Sequence, residues 1–259
     1  MQDSPASNDS GPRREAGLSR AVQILDFLHA HGRPASPGDI ARGLGAPRST
    51  IYSLVRTLSD CGLLDANAGD GRVYFGRKHY LWGMDYMREN ALLRQGRRAV
   101  DELAAETGET TELCMLHEGR YAIIHMCPGA RPFRISSAVG LQIPLPWTAS
   151  GRLLLSGLAR PEVDRLVQDE DLTLPDGRRI NREIFHAEIA EAAERGFCVT
   201  TGLVDAVTKC LAVPIRDSDR SVAATLCFVL PINTADSTVT QLRKKLLDRA
   251  RNLSMDLAS

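Results

Sequence analysis

No apolar run in this 259-residue chain approaches the roughly 18 residues that a membrane span needs. The N-terminal MQDSPASNDSGPRREAG has no apolar centre, so it is not a secretory leader, and residues 1–17 are expected to form a disordered tail. A cytoplasmic location follows. There is no excess of one charge, since 32 Lys and Arg balance 32 Asp and Glu, which excludes a generally basic nucleic-acid coat. Any DNA-facing charge must be local. The six cysteines, at 61, 114, 127, 198, 210 and 227, include no pair at the spacing of a zinc knuckle or redox motif. They read as reduced, largely buried thiols, and neither a metal nor any other cofactor is expected. Motifs for catalysis are missing too. There is no Gly-x-Gly-x-x-Gly, no phosphate-binding Gly-Lys-Ser/Thr and no Gly-x-Ser-x-Gly elbow, the last being replaced by TASGR. Ser150, Cys210, Cys227, His117, His125 and His186 could each take part in chemistry, but nothing fixes them in one arrangement. No catalytic residue is assigned.

What the chain does contain is SPGDIARGLGAPRSTIYSLVRTLSDCGLLDANAGDGRVYFG. A short helix with apolar Ile40, Ala41 and Leu44 stops at Gly45, and a second opens at Pro47. The second repeats apolar residues at Ile51, Leu54, Val55 and Leu58, one face of a 3.6-residue period. Its other face carries Arg48, Ser49, Thr50, Tyr52, Ser53 and Arg56, with no carboxylate before Asp60. Such donors and cations suit base edges and phosphates in a major groove. A hairpin follows around NAGDG, where Asn67, Gly69 and Gly71 could supply positive-φ turn residues and Arg72 a phosphate contact. Together these make a winged helix-turn-helix over 18–76, with a first helix starting near Leu18 whose core face holds Ala21, Val22, Leu25, Phe27 and Leu28. A winged module that never meets DNA is the bland alternative.

A long helical stretch, 77–107, comes next and is expected to bend near Gly96. Tyr80, Leu81, Met84, Met87 and Leu92 give it a broad apolar stripe, fit to pack on the first helix and to form a dimer seam. From 108 to 259 the period changes. Strands are expected over TTELCMLHEG, RYAIIHMCPG and PFRISSAVG, then a helix capped by Thr148, a second after Pro161 and a third closed by Gly196. FCVTTG, KCLAVPIRD and SVAATLCFVLP are further strands, and an amphipathic helix closes the chain. The mixture predicts an α+β domain on one mainly antiparallel sheet.

The order of SRAVQILDFL, RSTIYSLVRTL, GLLDANAGDGRVYFG, AVGLQIPLPWTASGRLLLS, AERGFCVTTG and KCLAVPIRDSDRSVAATLCFVLP resembles the IclR family of bacterial transcription regulators, over about 18–257. The resemblance implies a GAF-like effector domain whose pocket lies between the sheet and the Thr148 helix. It carries pocket roles onto Ala149, Ser150, Thr200, Thr208, Cys210, Cys227 and Val229. Trp147, beside the turn, joins them. The first turn of that helix, from Ala149 to Arg152, is expected to offer unpaired N–H groups to an anion, with Ala149 and Gly151 leaving room for it. This chain departs from the family at Pro146, Arg152, Thr200 and Ser53, where a polar residue, Lys, Asp and Arg are usual. A neutral Thr200 beside Trp147 points to an effector with an apolar or aromatic body. The expected function is a ligand-responsive regulator that binds operator duplex as a homodimer or pair of dimers and senses a small organic acid or aromatic metabolite. A non-catalytic interaction module with a vestigial reader, and a small-molecule-processing enzyme, are the rivals that a gel shift separates.

Overall fold

The computed structural model describes residues 11–67, 69–117, 119–130, 138–140 and 142–258, which divide into two compact units at Glu89 and Asn90. In the first unit, helix α1 (Gly11–His31) is followed by α2 (Pro37–Gly43), α3 (Arg48–Asp60), strands β1 (Leu64–Ala66) and β2 (Val73–Phe75), and α4 (Arg77–Glu89). The first helix begins at Gly11, seven residues before the expected Leu18. Pro12 suits the first turn of a helix, and the Arg-Arg-Glu-Ala run behind it has high helix propensity.

Ile24, Leu28, Ile40, Ala41, Ile51, Val55, Leu58, Leu64 and Val73 form one core, with Leu54 half-buried at its edge. Val22, expected inside, is exposed, and Ile24 takes the inward position instead. Ser36 caps α2: its Oγ accepts from the Asp39 N–H at 3.1 Å, while the Asp39 carboxylate accepts from the Ser36 N–H at 3.3 Å. Gly45 closes the short helix at φ +57°. The wing pairs Ala66 with Val73, and Ala35 bridges to the other side of Val73. Of the three candidate turn residues only Gly71 takes a positive φ, +65°.

The long helical stretch is not one element. Asn90 interrupts it, its side chain accepting from the Leu93 N–H at 3.0 Å to start α5 (Ala91–Thr107) in the second unit. The break lies at a capping residue rather than at Gly96. That glycine sits inside α5, where a Cβ would come within 2.8 Å of Leu113. The apolar stripe is divided accordingly: Leu92 is buried, whereas α4 has no buried residue and Tyr80, Leu81 and Met84 are exposed rather than packed on α1.

The second unit continues with β3 (Thr110–His117), β4 (Arg120–Cys127), β5 (Gln142–Ile143), a 3-10 turn (Leu145–Trp147), α6 (Ala149–Leu155), α7 (Arg160–Leu166), α8 (Arg182–Arg195), β6 (Cys198–Thr201), β7 (Thr208–Arg216), β8 (Val222–Pro231) and α9 (Asp236–Ala258). The six strands form one antiparallel sheet in the order β5-β4-β3-β8-β7-β6. Most of the expected PFRISSAVG strand lies outside the described residues. Helices α5 and α9 pack on one face of the sheet and α6 on the other, with α8 behind α6. Strand β8 lies in the middle and is buried on both faces, as its near-continuous apolar run requires.

Candidate functional site

Alternate residues of a strand point to opposite faces. Register pairs Glu112 of β3 with Cys227 of β8, and Cys227 with Ala212 of β7; Val229 pairs with Cys210, and Cys210 with Thr200 of β6. Of these, Glu112, Cys227, Val229, Cys210 and Thr200 line a cavity against the start of α6. Tyr121, Ile143 and Thr208 join them, the turn from Trp147 to Ser150 closes one side, and the loop from Gly202 to Asp205 closes another. The empty space is about 610 Å³ with its open mouth included.

Most polar groups here are already committed. Thr148 Oγ1 accepts from the Gly151 N–H at 2.8 Å, and Thr208 Oγ1 donates to the Asp205 carbonyl at 3.0 Å. Trp147 Nε1 donates to the Asp171 carbonyl at 2.7 Å, which fixes the indole at the rim. The Tyr121 hydroxyl donates to Glu112 Oε2 and accepts from the Cys114 thiol, each at 2.9 Å. Ser150 is different. It is 1% exposed, lines the cavity, and its Oγ has no hydrogen-bond partner of ordinary geometry. The Cys114 thiol beside it is a weak partner at best.

Burial pushes the Cys114 thiol and the Tyr121 hydroxyl well above their ordinary pKa values, with the nearby Glu112 adding to both. The Cys227 thiol is raised by its contact with Cys210 and by burial, and Cys198 is pushed up to about 11 by burial. Protonated thiols are poor nucleophiles, so Cys114, Cys198 and Cys227 serve as wall and packing rather than as reactive groups.

All eight residues expected at the pocket, Trp147, Ala149, Ser150, Thr200, Thr208, Cys210, Cys227 and Val229, line this one cavity. Two details differ from expectation. Gly151 makes room not for a ligand but for the preceding turn, because a Cβ there would lie 2.0 Å from the Leu145 carbonyl oxygen. The N–H row is also shorter than expected, since Thr148 Oγ1 occupies the Gly151 donor. Arg152 turns inward, 3% exposed, and its guanidinium donates to the carbonyls of Pro146 and Thr148 and to Glu188 at 2.6 Å. Glu112 and Tyr121 escaped the sequence reading. Their place depends on strand register, which a single strand's alternation does not reveal.

In the first unit, Arg48, Ser49, Thr50, Tyr52, Ser53 and Arg56 are all exposed on α3, as is Arg72 at the wing. Pro47 precedes the helix and no acidic residue lies in its first turn. Arg56 reaches Asp60 only at 4.0 Å and Arg72 reaches Asp70 at 3.4 Å; exposed pairs of this kind hold weakly.

The family model for the IclR helix-turn-helix domain matches residues 17–68, and that for the C-terminal domain of the bacterial transcriptional regulator IclR matches residues 84–255. The chain belongs to the IclR family. It is 26% identical over 247 residues to the HTH-type transcriptional regulator XynR of Escherichia coli, covering 93% of this chain and 96% of that protein. An IclR-type regulator from Silicibacter superposes with a TM-score of 0.82 at 22% identity, over 94% of this chain and 96% of the other. An IclR homologue from Microbacterium hydrocarbonoxydans, solved with 4-hydroxybenzoate, superposes with a TM-score of 0.77 at 24% identity, over 93% and 98%. This IclR-family protein is thus a transcriptional regulator with a DNA-binding helix-turn-helix and an effector-binding C-terminal domain, and it is not an enzyme. Among the described residues no helix is long and apolar enough to cross a membrane.

Proposed function

We propose that this regulator reads operator duplex with the exposed face of α3 and answers a small organic acid with an apolar or aromatic body. The effector is held in the cavity beside α6. The observation that carries this reading is Ser150, a buried hydroxyl on the cavity wall without a satisfying partner. A buried polar group left in that state is costly unless something arrives to bond it. The effector's carboxylate would take the Ser150 hydroxyl and the N–H groups of Ala149 and Ser150. Its body would lie among Trp147, Leu203, Cys210, Cys227 and Val229, the apolar part of the wall. The 4-hydroxybenzoate bound by the Microbacterium homologue is a ligand of this shape and charge.

Arg48 and Arg56 would meet phosphates and Ser49, Thr50, Tyr52 and Ser53 the groove between them, with Arg72 adding a contact from the wing. The protein would bind as a homodimer or pair of dimers. Tyr80, Leu81, Trp82 and Met84, 45–69% exposed on α4, supply an apolar seam that water would otherwise cover. A soluble cytoplasmic location goes with this role.

The test pairs a thermal-shift screen against short and aromatic carboxylic acids with binding to duplex from the region upstream of its own gene. An effector that binds only the folded state stabilises it by about 2.7 kcal/mol at a hundredfold excess over its dissociation constant. It must also change DNA affinity by the factor by which DNA changes its own. Stabilisation by amines or sugars but by no acid overturns the ligand class. Failure to bind any duplex overturns the reader.

A further inference from the structure

We infer that Arg33, Arg42 and Arg72 form a second phosphate-binding surface, separate from the α3 face, that grips the backbone of duplex DNA. The inference rests on the reading of the first unit as a DNA binder, and it joins Arg33, on the connection between α1 and α2, and Arg42, inside α2, to Arg72 of the wing. The three arginines line one concave surface together with Phe27, His31 and Asp39.

Their proximity follows from the backbone. Ala35 exchanges two hydrogen bonds with Val73, at 3.1 and 2.9 Å, an isolated bridge that ties the connection to the wing. Arg33 stands two residues before Ala35, and Arg72 one residue before Val73. The support is stiff. Gly32 turns the chain at φ +67°, and Pro34 restricts Arg33 in front of it to extended backbone. Arg72 has its own N–H bonded to Asp70 and its carbonyl bonded to the Asn67 N–H at 2.8 Å. A cation on such a support loses little backbone freedom when it binds.

Charge points to the same occupant. Among the described residues Arg33 has no carboxylate partner, and its Nε donates only to His31 Nε2 at 3.3 Å. Arg42 pairs with Asp39 and Arg72 with Asp70, both at the exposed surface, where such pairs are weak and exchange readily for phosphate. Asp39 is held in turn by its bonds to Ser36, which depress its pKa and keep it committed to the helix cap. The surface also adjoins the reading face. A Cβ placed on Gly38 would lie 3.8 Å from the Tyr52 hydroxyl and 3.7 Å from Ser36 Oγ, so the start of α2 and the middle of α3 share one side of the unit.

The experiment is a fluorescence-anisotropy titration of the full chain on a random-sequence 40-base-pair duplex across 50–300 mM salt. Each phosphate contact contributes about 0.9 to the log–log salt slope. Arg33→Gln should flatten the slope by about 0.9, and Arg33→Gln with Arg42→Gln by about 1.8. Arg33→Lys should keep it, and Arg251→Gln, in the other unit, should leave it unchanged. An unaltered slope in the double variant, with the parent binding normally, overturns the second surface and leaves the α3 reading standing. A parent that binds no duplex overturns both.

Discussion

Replacing Ser150 by alanine should make the protein more stable and less responsive at once. The Ser150 hydroxyl is 1% exposed and has no partner of ordinary geometry. An unsatisfied buried polar group costs about 1–3 kcal/mol, and the weak Cys114 thiol beside it places this one near the lower end. Its removal should return about 1 kcal/mol, and the better helix propensity of alanine adds up to about 0.5 kcal/mol. For a unit spanning Asn90–Ser259, about 1.5 kcal/mol raises the melting temperature by roughly 3–6 °C. Two tryptophans, Trp82 and Trp147, lie one in each unit, so a Trp82→Phe background lets fluorescence follow the second unit alone. The lost hydrogen bond to a charged effector should cost about 1.5–3 kcal/mol, or roughly ten- to a hundredfold in affinity. Stabilisation without effector and weaker binding with it are opposite in sign, which global misfolding cannot imitate. A variant that gains less than the helix-propensity share, or binds effector as tightly as its parent, would refute the reasoning.

Gly151→Ala should destabilise the second unit by about 1–3 kcal/mol, because the new methyl meets the Leu145 carbonyl at 2.0 Å and must part α6 from the turn before it; a denaturant midpoint equal to the parent's would contradict this. Arg48→Ala and Arg56→Ala should each lower the salt slope of operator binding by about 0.9, while Tyr52→Ala should change which operator is preferred. An unchanged slope in both arginine variants would remove α3 from the interface.

Much of this was legible in advance, for definite reasons. Helix-turn-helix spacing is local: Ile51, Val55 and Leu58 sit on one side of α3 because the helical period puts them there, and Arg48, Ser49, Tyr52, Ser53 and Arg56 are exposed for the same reason. The pocket residues on β7 and β8 follow from the family resemblance, and Thr148 as a cap from its chemistry. Glu112 and Tyr121 were not legible, since their position depends on how β3 pairs with β8 and β4. The sequence points to Gly96 for the helix break because glycine is the more familiar interrupter. Asn90 ends the run through a side-chain bond to Leu93, and Gly96 survives inside a helix where Leu113 needs the space. The start of α1 is hard to read because Pro12 stands in a polar, proline-containing stretch and proline begins a helix as easily as it ends one.

The asparagine at the junction bears on how such regulators diversify. A single uninterrupted helix would tie the register of one hydrophobic core to that of the other, so that an insertion or a reshaped face on one side would propagate across. A capped restart at Asn90 lets the second unit set its own helix phase, with Leu92 and Leu93 on its buried side. The second core therefore starts from a cap of its own, at Asn90, rather than from the end of α4.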